Sequence, residues 1–277
     1  MLDLLVFTQH PLAYAPKRFK IEAELHNLSI QIISYKKVDL NNLPEAKALI
    51  LREPDYKKDL YKLRDEILKY YVSKNTIILN KESYLKWSVL DKITQHDEFK
   101  KSGISYIPLL KLSDAKYHFI AKNKLGSHGE SVYKITSKED LDRVLQKHKI
   151  EDLLIQEFQT SGFDLRVIVL GGRVLGIMKR TPKVGEFLSN YSQGGGIERY
   201  KVNSDIDIKN IENIATKTAT HFKLDYVGVD LMMGNDNEWK VLEVNRACQF
   251  KGFEKATGVN VAKEVIQTLQ GLLTFPF

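Results

Sequence analysis

Residues 229–245 read VDLMMGNDNEWKVLEVN, and no other stretch limits the fold so tightly. Two strand-like runs flank the turn formers Gly234-Asn235-Asp236-Asn237, so the segment is expected to be an antiparallel hairpin. A loop centred on Asn235-Asp236 sets Met232 opposite Trp239 and Asp230 opposite Val241. Side chains alternate between faces, which puts Val241, Glu243 and Asn245 on the face of Asp230. Asp230 and Glu243 are then diagonal neighbours, roughly 7–8 Å apart at the backbone. Two carboxylates and an amide oxygen on one face repel each other unless a positive charge lies between them. Mg²⁺ suits such a set, because it takes oxygen ligands, keeps several waters and shares its sphere with phosphates. A solvated outer face of a sheet is the other reading. A calcium loop at the Asn-Asp-Asn tip lacks the ligand spacing that ends in Glu at the twelfth position.

A metal that works with phosphate needs phosphate-binding cations and a glycine loop. FIAKNKLGSHGESVYKI (119–135) places Gly126, Ser127, His128 and Gly129 between two strands. Glycines there let backbone N–H groups approach phosphate oxygens, though most glycine hairpins bind nothing. It is not a Walker A loop, since it opens a strand and lacks GxxxxGK[ST]. Lys122 precedes it among apolar residues, where an ammonium needs a partner: a phosphate or a structural carboxylate. His128 reads as exposed. Further on, Asp164 and Arg166 share a strand face, and Lys179 and Arg180 follow a run of small apolar residues. These charges make either an ion-pair network or a cation cluster for a transferring phosphoryl group. GEFLSNYSQGGG (185–196) has the composition of a lid.

The rest of the chain fits a soluble, cytoplasmic protein. Its 277 residues are 43% hydrophobic and 28% charged, enough for a large core or for two or three small domains. The longest apolar run, VIVLGGRVLGIM (167–178), is too short to span a bilayer. The N-terminus opens on an apolar strand without a basic leader. Cys248 is the single cysteine, which excludes an internal disulfide. A net charge of +7, with its lysines dispersed, favours anionic small molecules. Nucleic acid is not favoured, because no zinc finger, aromatic RNA-binding signature or basic heptad is present.

Strands are expected at 2–8, 29–35, 46–52 and 75–80, with helices at 19–28 and 59–73 between them. That alternation predicts a small parallel α/β unit over residues 1–85. One helix is expected over 83–103, stopped by Gly103. Strands at 105–112, 117–123 and 131–136 and a helix at 138–148 follow. A strand-rich segment then runs from 153 to the hairpin, and a terminal helix covers about 260–273.

Taken in order, QEF…GFDLR, MKR…GEFLSN…GG, GVDL…LEVN and ATGVNVAKEVI resemble the ATP-grasp carboxylate–amine ligases. The likeness is to the branch that attaches glutamate to ribosomal protein S6, and to the amino-group-carrier-protein ligases of lysine biosynthesis. It covers nearly the whole chain and is strongest over 153–266. It implies an α/β (α+β) ATP-grasp fold: an N-terminal pre-ATP-grasp domain at 1–85, a central subdomain at 86–155 and a C-terminal, metal-bearing subdomain at 156–277.

The resemblance also implies roles. Lys92 and Lys122 would contact the ATP phosphates, under a loop of Gly126, Ser127, His128 and Gly129. Gln156, Glu157 and Phe158 would hold the adenine, and Asp164 the ribose. Arg166, Lys179, Arg180 and Asn190 would surround the reacting groups. Asp230, Glu243 and Asn245 would carry Mg²⁺, with Mn²⁺ as a substitute. The reaction would be ADP-forming: a carboxylate becomes an acyl phosphate, and an amine then displaces phosphate. The partners would be a small amino-acid donor such as glutamate and an amine, peptide or protein acceptor, with no membrane; a homo-oligomer is left open. Leu188 and Gln193 stand where the family commonly has Arg, and Arg246-Ala247-Cys248 replaces its Ser-Pro-Gly. These departures lie around nucleotide and acceptor contacts, and they motivate one alternative, a nucleotide-binding regulator without ligase turnover.

Overall fold

The computed structural model of the chain describes residues 1–54, 58–124, 131–186, 194–201 and 205–274. The first part runs β1 (Leu2–Thr8), α1 (Tyr14–Leu25), β2 (Ile30–Ser34), β3 (Ala46–Leu51), α2 (Lys58–Ser73) and β4 (Ile77–Ile78). Its strands form a parallel sheet in the order β2-β1-β3-β4, as strand–helix alternation requires. Helix α1 begins at Tyr14 rather than Phe19, because Pro16 falls in its first turn, where a missing N–H costs nothing. One sheet face, with Leu5, Phe7, Leu49 and Leu51, packs on Ile67, Leu68 and Tyr71 of α2.

The helix expected over 83–103 is two helices, α3 (Lys81–Lys86) and α4 (Lys92–Ser102). The Asp91 side chain accepts from Thr94 N–H and caps α4, and Gly103 ends it at φ +65°. The break leaves the carbonyls of Trp87 and Ser88 to the Arg246 guanidinium, which also reaches Ser83 O, already bonded to Trp87 N–H. Next come β5 (Leu109–Leu110), β6 (Phe119–Asn123), β7 (Val132–Ile135), α5 (Lys138–Leu145) and β8 (Leu153–Glu157). They make an antiparallel sheet, β5-β8-β6-β7. Pro108 limits the strand expected at 105–112 to Leu109–Leu110 and one bridge from Tyr106 to Val241. Phe119, Ala121, Ile135, Leu153 and Ile155 face α5, and the alternate residues Ile120, Lys122, Lys134 and Gln156 face a cleft.

The last part holds β9 (Asp164–Leu170), β10 (Arg173–Thr181), β11 (Gly196–Arg199), α6 (Asp205–His221), β12 (Tyr226–Met233), β13 (Trp239–Asn245), α7 (Lys251–Thr257) and α8 (Val261–Thr274). Its antiparallel sheet is ordered β11-β10-β9-β12-β13. Helix α6 interrupts the run expected to be strand-rich. Ile211, Ala215 and Ala219 recur four apart, and with Phe222 they are fully buried against Val167, Val227 and Val229. The opposite sheet face, with Ile168, Leu170, Met178 and Tyr226, shares one core with Leu4, Val6 and Ile50 through Phe19 of α1 and Val261 and Val265 of α8. Two sheets are thereby joined across a helical layer, and the third faces the second over the cleft. No helix of the described residues is long and apolar enough to cross a membrane.

Candidate active site

The hairpin that opens the sequence reading is present, with a different register. Its loop is longer than expected: Asn237 is left-handed at φ 62°, and Gly234 N–H donates to Glu238 O at 2.8 Å. Met233 therefore pairs with Trp239, and Leu231 with Val241. A bulge then skips Leu242, so Asp230 lies directly opposite Glu243 and Gly228 opposite Asn245. Val241 turns away from the acids into the core beside α6, which corrects the expected shared face. Leu242 and Glu243 both line the cleft. Gly228 has to be glycine, because a Cβ there would lie 2.8 Å from the Cβ of Cys248.

Strand pairing lines up Met178, Arg166, Asp230 and Glu243 in one row across β10, β9, β12 and β13. Arg180 and Asp164 pair in the next row on the same face. Arg166 forks onto Asp230, with Nε to Oδ1 at 2.8 Å and Nη2 to Oδ2 at 2.7 Å. Arg180 Nη2 reaches the same Oδ2 at 3.1 Å, and Arg180 Nε donates to Asp164. Asn245 Nδ2 donates to Asp230 Oδ2 at 3.3 Å, leaving the Asn245 amide oxygen for another group. Asp230 is only 3% exposed. Burial works to raise its carboxyl pKa, but the Arg166 and Arg180 guanidiniums outweigh burial and hold it below the usual range.

Across the cleft, Lys122 on β6 is 8% exposed. Burial pushes its ammonium down to about 8, Glu243 opposes that shift and Lys92 adds to it. Lys92 and Glu243 therefore both act electrostatically on Lys122, from two other elements. Lys92 opens α4. Gln156, Glu157 and Phe158, at the end of β8, line the same cleft of about 1040 Å³. Gln156 is anchored through Nε2 to Ile107 O at 2.8 Å, and Lys134 stacks over Phe158 at 4.0 Å. The hairpin tip holds this segment: Asn235 Nδ2 donates to Phe158 O at 3.0 Å, and Asn235 N–H donates to Gln159 Oε1 at 2.9 Å.

Lys179 is not brought to this cluster. Adjacent strand residues point to opposite faces, so Lys179 lies on the other side of β10 from Arg180. There it pairs with Glu198 at 3.0 Å and sits over the Phe163 ring at 5.0 Å. Gly126, Ser127, His128, Gly129 and Asn190, together with Leu188 and Gln193, lie outside the described residues. Gln95 and Asn80 also hold the site and carry no sequence motif, whereas Asn235 belongs to the turn cluster and Arg246 directly follows LEVN.

Among the described residues no cluster of three or more His, Cys, Asp and Glu could hold a metal ion. The donors at hand are the Glu243 carboxylate, the Asn245 amide oxygen and an Asp230 whose two oxygens already accept from guanidiniums. Such a set fits a hard cation that takes much of its sphere from water and phosphate, as Mg²⁺ does. It does not fit a metal that needs a complete protein cage.

The family model for a RimK-like ATP-grasp domain matches residues 99–269. The chain belongs to that family. It is an ATP-grasp ligase of the ADP-forming kind. A probable alpha-L-glutamate ligase of Legionella pneumophila (strain Corby) is 26% identical over 299 residues, covering 97% of this chain and 95% of its own. One from Haemophilus ducreyi is 30% identical over 217 residues, with 73% and 69% covered. Among solved structures, the ATP-grasp ligase PsnB complexed with a phosphomimetic variant of its minimal precursor, Mg and ADP superposes with a TM-score of 0.76 at 18% identity, over 99% of this chain and 100% of that one. The macrocyclase MdnC bound with the precursor peptide MdnA from Microcystis aeruginosa does so at 0.70 and 16%, over 98% and 100%. At those identities the two structures speak to the fold alone.

Proposed function

We propose that the protein joins glutamate, or a similar small amino acid, to an amine on a peptide or protein at the expense of ATP. The observation that carries this reading is the buried Lys122 facing Glu243 across the cleft, with the Arg166–Asp230–Arg180–Asp164 lattice beside them. A lysine whose charge is opposed by burial gains most from an anion, so a nucleotide phosphate is a natural partner. Lys92 would share that load, and the end of β8 (Gln156, Glu157, Phe158) would hold the adenine at its backbone. Asp164, bound to Arg180, would orient the ribose side. Arg166 and Arg180 would lie near the reacting groups, where fixed guanidiniums stabilise charge on a transferring phosphoryl group. Glu243, Asn245 and Asp230 would hold Mg²⁺, or Mn²⁺ in its place, which when bound neutralises phosphate charge. We take 1–85, 86–155 and 156–277 as its three units and the cytoplasm as its location.

The carboxylate of one substrate attacks the γ-phosphorus of ATP, the bond to the bridging oxygen breaks and ADP leaves. The amine then attacks the acyl carbon, loses a proton, and phosphate departs. The glutamate-ligase names of the relatives support the donor, and the precursor peptides bound to PsnB and MdnC support a peptide acceptor. ADP release, measured over amino acids paired with peptides, tests the reading. The expected result is ADP release that needs both an acid and an amine. ATP binding without ADP release for any pair would favour the regulator instead.

A further inference from the structure

Asn245 ends β13, and both of its neighbours are clamped by residues far earlier in the chain. Gln95 on α4 holds Val244 twice: Val244 N–H donates to Gln95 Oε1 at 2.8 Å, and Gln95 Nε2 donates to Val244 O at 3.0 Å. The next residue, Arg246, is 3% exposed. Its carbonyl accepts from Asn80 Nδ2 at 3.1 Å. Its Nε donates to Glu53 at 2.6 Å, Nη1 to Trp87 O at 2.6 Å and Ser83 O at 3.3 Å, and Nη2 to Ser88 O at 3.1 Å. Its guanidinium lies 4.3 Å from the centre of the Tyr84 ring, and that of Arg64 lies 5.0 Å from the same ring. Glu53, just past β3, is shared with Arg64 at 2.8 Å. The side chain that stands where the family has Ser therefore runs into the junction between the first sheet and the hairpin, at the edge of the cleft.

We propose that Arg246 is a positioning residue: by tying the end of β13 to Glu53 and to the carbonyls of the α3–α4 break, it sets where Glu243 and Asn245 present their oxygens. This rests on the metal–nucleotide reading of those two residues. A guanidinium is suited to the task because its planar fork can serve one carboxylate and several carbonyls at once, which an ammonium cannot. Gln95 acts on the other side of Asn245 in the same way, and it lies one turn along α4 from Lys92. The two clamps therefore fix the hairpin end relative to a residue that faces Lys122.

The test uses the full chain with saturating ADP and Mn²⁺ as the probe, its free concentration read by electron paramagnetic resonance. Metal-free ADP binding and thermal midpoints are measured alongside. Arg246→Lys is expected to weaken Mn²⁺ binding at least tenfold while metal-free ADP binding stays within about twofold. Glu53→Gln, which keeps a neutral acceptor in place, is expected to weaken it by less and serves where the first variant fails to fold. A purely structural role would lower the midpoints and leave the Mn²⁺ affinity of folded protein unchanged. Mn²⁺ affinity within twofold of wild type in the folded variants overturns the proposal. Failure of the unsubstituted protein to bind Mn²⁺ with ADP overturns the underlying metal reading, and is told apart because it appears without any substitution.

Discussion

Two carboxylates in this molecule are each gripped by two arginines, and the two clusters differ in what else holds them. Asp230 receives Arg166 and Arg180, and both clusters border the cleft. Glu53 receives Arg64 and Arg246, whose remaining N–H groups go to Asp65 and to the carbonyls of Ser83, Trp87 and Ser88, with both guanidiniums against the Tyr84 ring. The Arg166 side chain is 15% exposed, whereas those of Arg64 and Arg246 are 0% and 1% exposed. Arginines tied to backbone carbonyls are fixed in place. Arginines tied mainly to carboxylates have fewer fixed partners, and on the proposed function these are the ones that would meet a phosphate. The same chemistry thus gives a cluster fixed by backbone carbonyls in one place and one held mainly by carboxylates in the other.

Asp230→Asn should give the largest effect, since it leaves two guanidiniums around a neutral amide. We expect a loss of about 3–5 kcal/mol in chemical denaturation and no measurable ADP release. Lys122→Met should separate stability from binding. The burial that holds its ammonium down to about 8 also costs the folded protein, so the variant gains on the order of 3 kcal/mol. Its ADP affinity by calorimetry should nonetheless fall by roughly 10²-fold. Glu53→Gln should cost on the order of 1–3 kcal/mol, less than Asp230→Asn, because carbonyls and Asp65 still engage both arginines. A loss equal to that of Asp230→Asn would erase the contrast between the clusters.

Lys122 also sets a pH dependence. The folded protein releases this proton near pH 8, before the unfolded chain does, so between about 8 and 10 the unfolded state binds more protons and this residue's contribution to stability rises with pH. Phosphate binding needs the ammonium, so metal-free ADP affinity should fall as pH rises above about 8, by at most tenfold per pH unit. Titrating ADP at successive pH values checks this, and Lys122→Met should flatten the curve. The smallest effect is expected for Lys179→Ala, which removes only a cation paired with Glu198 on the far face of β10. ADP binding should change by less than about twofold. A large loss there would place Lys179 among the reacting groups.

Much of this arrangement is legible in the chain. Strand and helix periodicity leads to the parallel first sheet, and GVDL…LEVN leads to a polar row inside an apolar hairpin. The remainder depends on contacts distant in sequence. The bulge at Leu242 follows from neither turn chemistry nor alternation, yet it is what brings Asp230 opposite Glu243. The break after α3 has one local signal, the Asp91 cap, but the partner of the Trp87 carbonyl is an arginine far along the chain. In 205–221 the isoleucines and threonines suggest strand, although Ile211, Ala215 and Ala219 already keep a helical interval. The adjacent Lys179 and Arg180 suggest one cationic pair, and strand alternation separates them. The Asp230 acid has its counter-charge within the protein, from Arg166 and Arg180, which pattern reading leaves open between metal, solvent and ion pair.

The most direct test of the central claim is thermal unfolding with and without Mg-ADP, in wild type and in Glu243→Gln. At a hundredfold excess over its dissociation constant a ligand stabilises the folded protein by about 2.7 kcal/mol. The account predicts a clear upward shift in wild type that requires Mg²⁺ and shrinks in the variant. No shift at millimolar Mg-ADP, or an equal shift in Glu243→Gln, would contradict it.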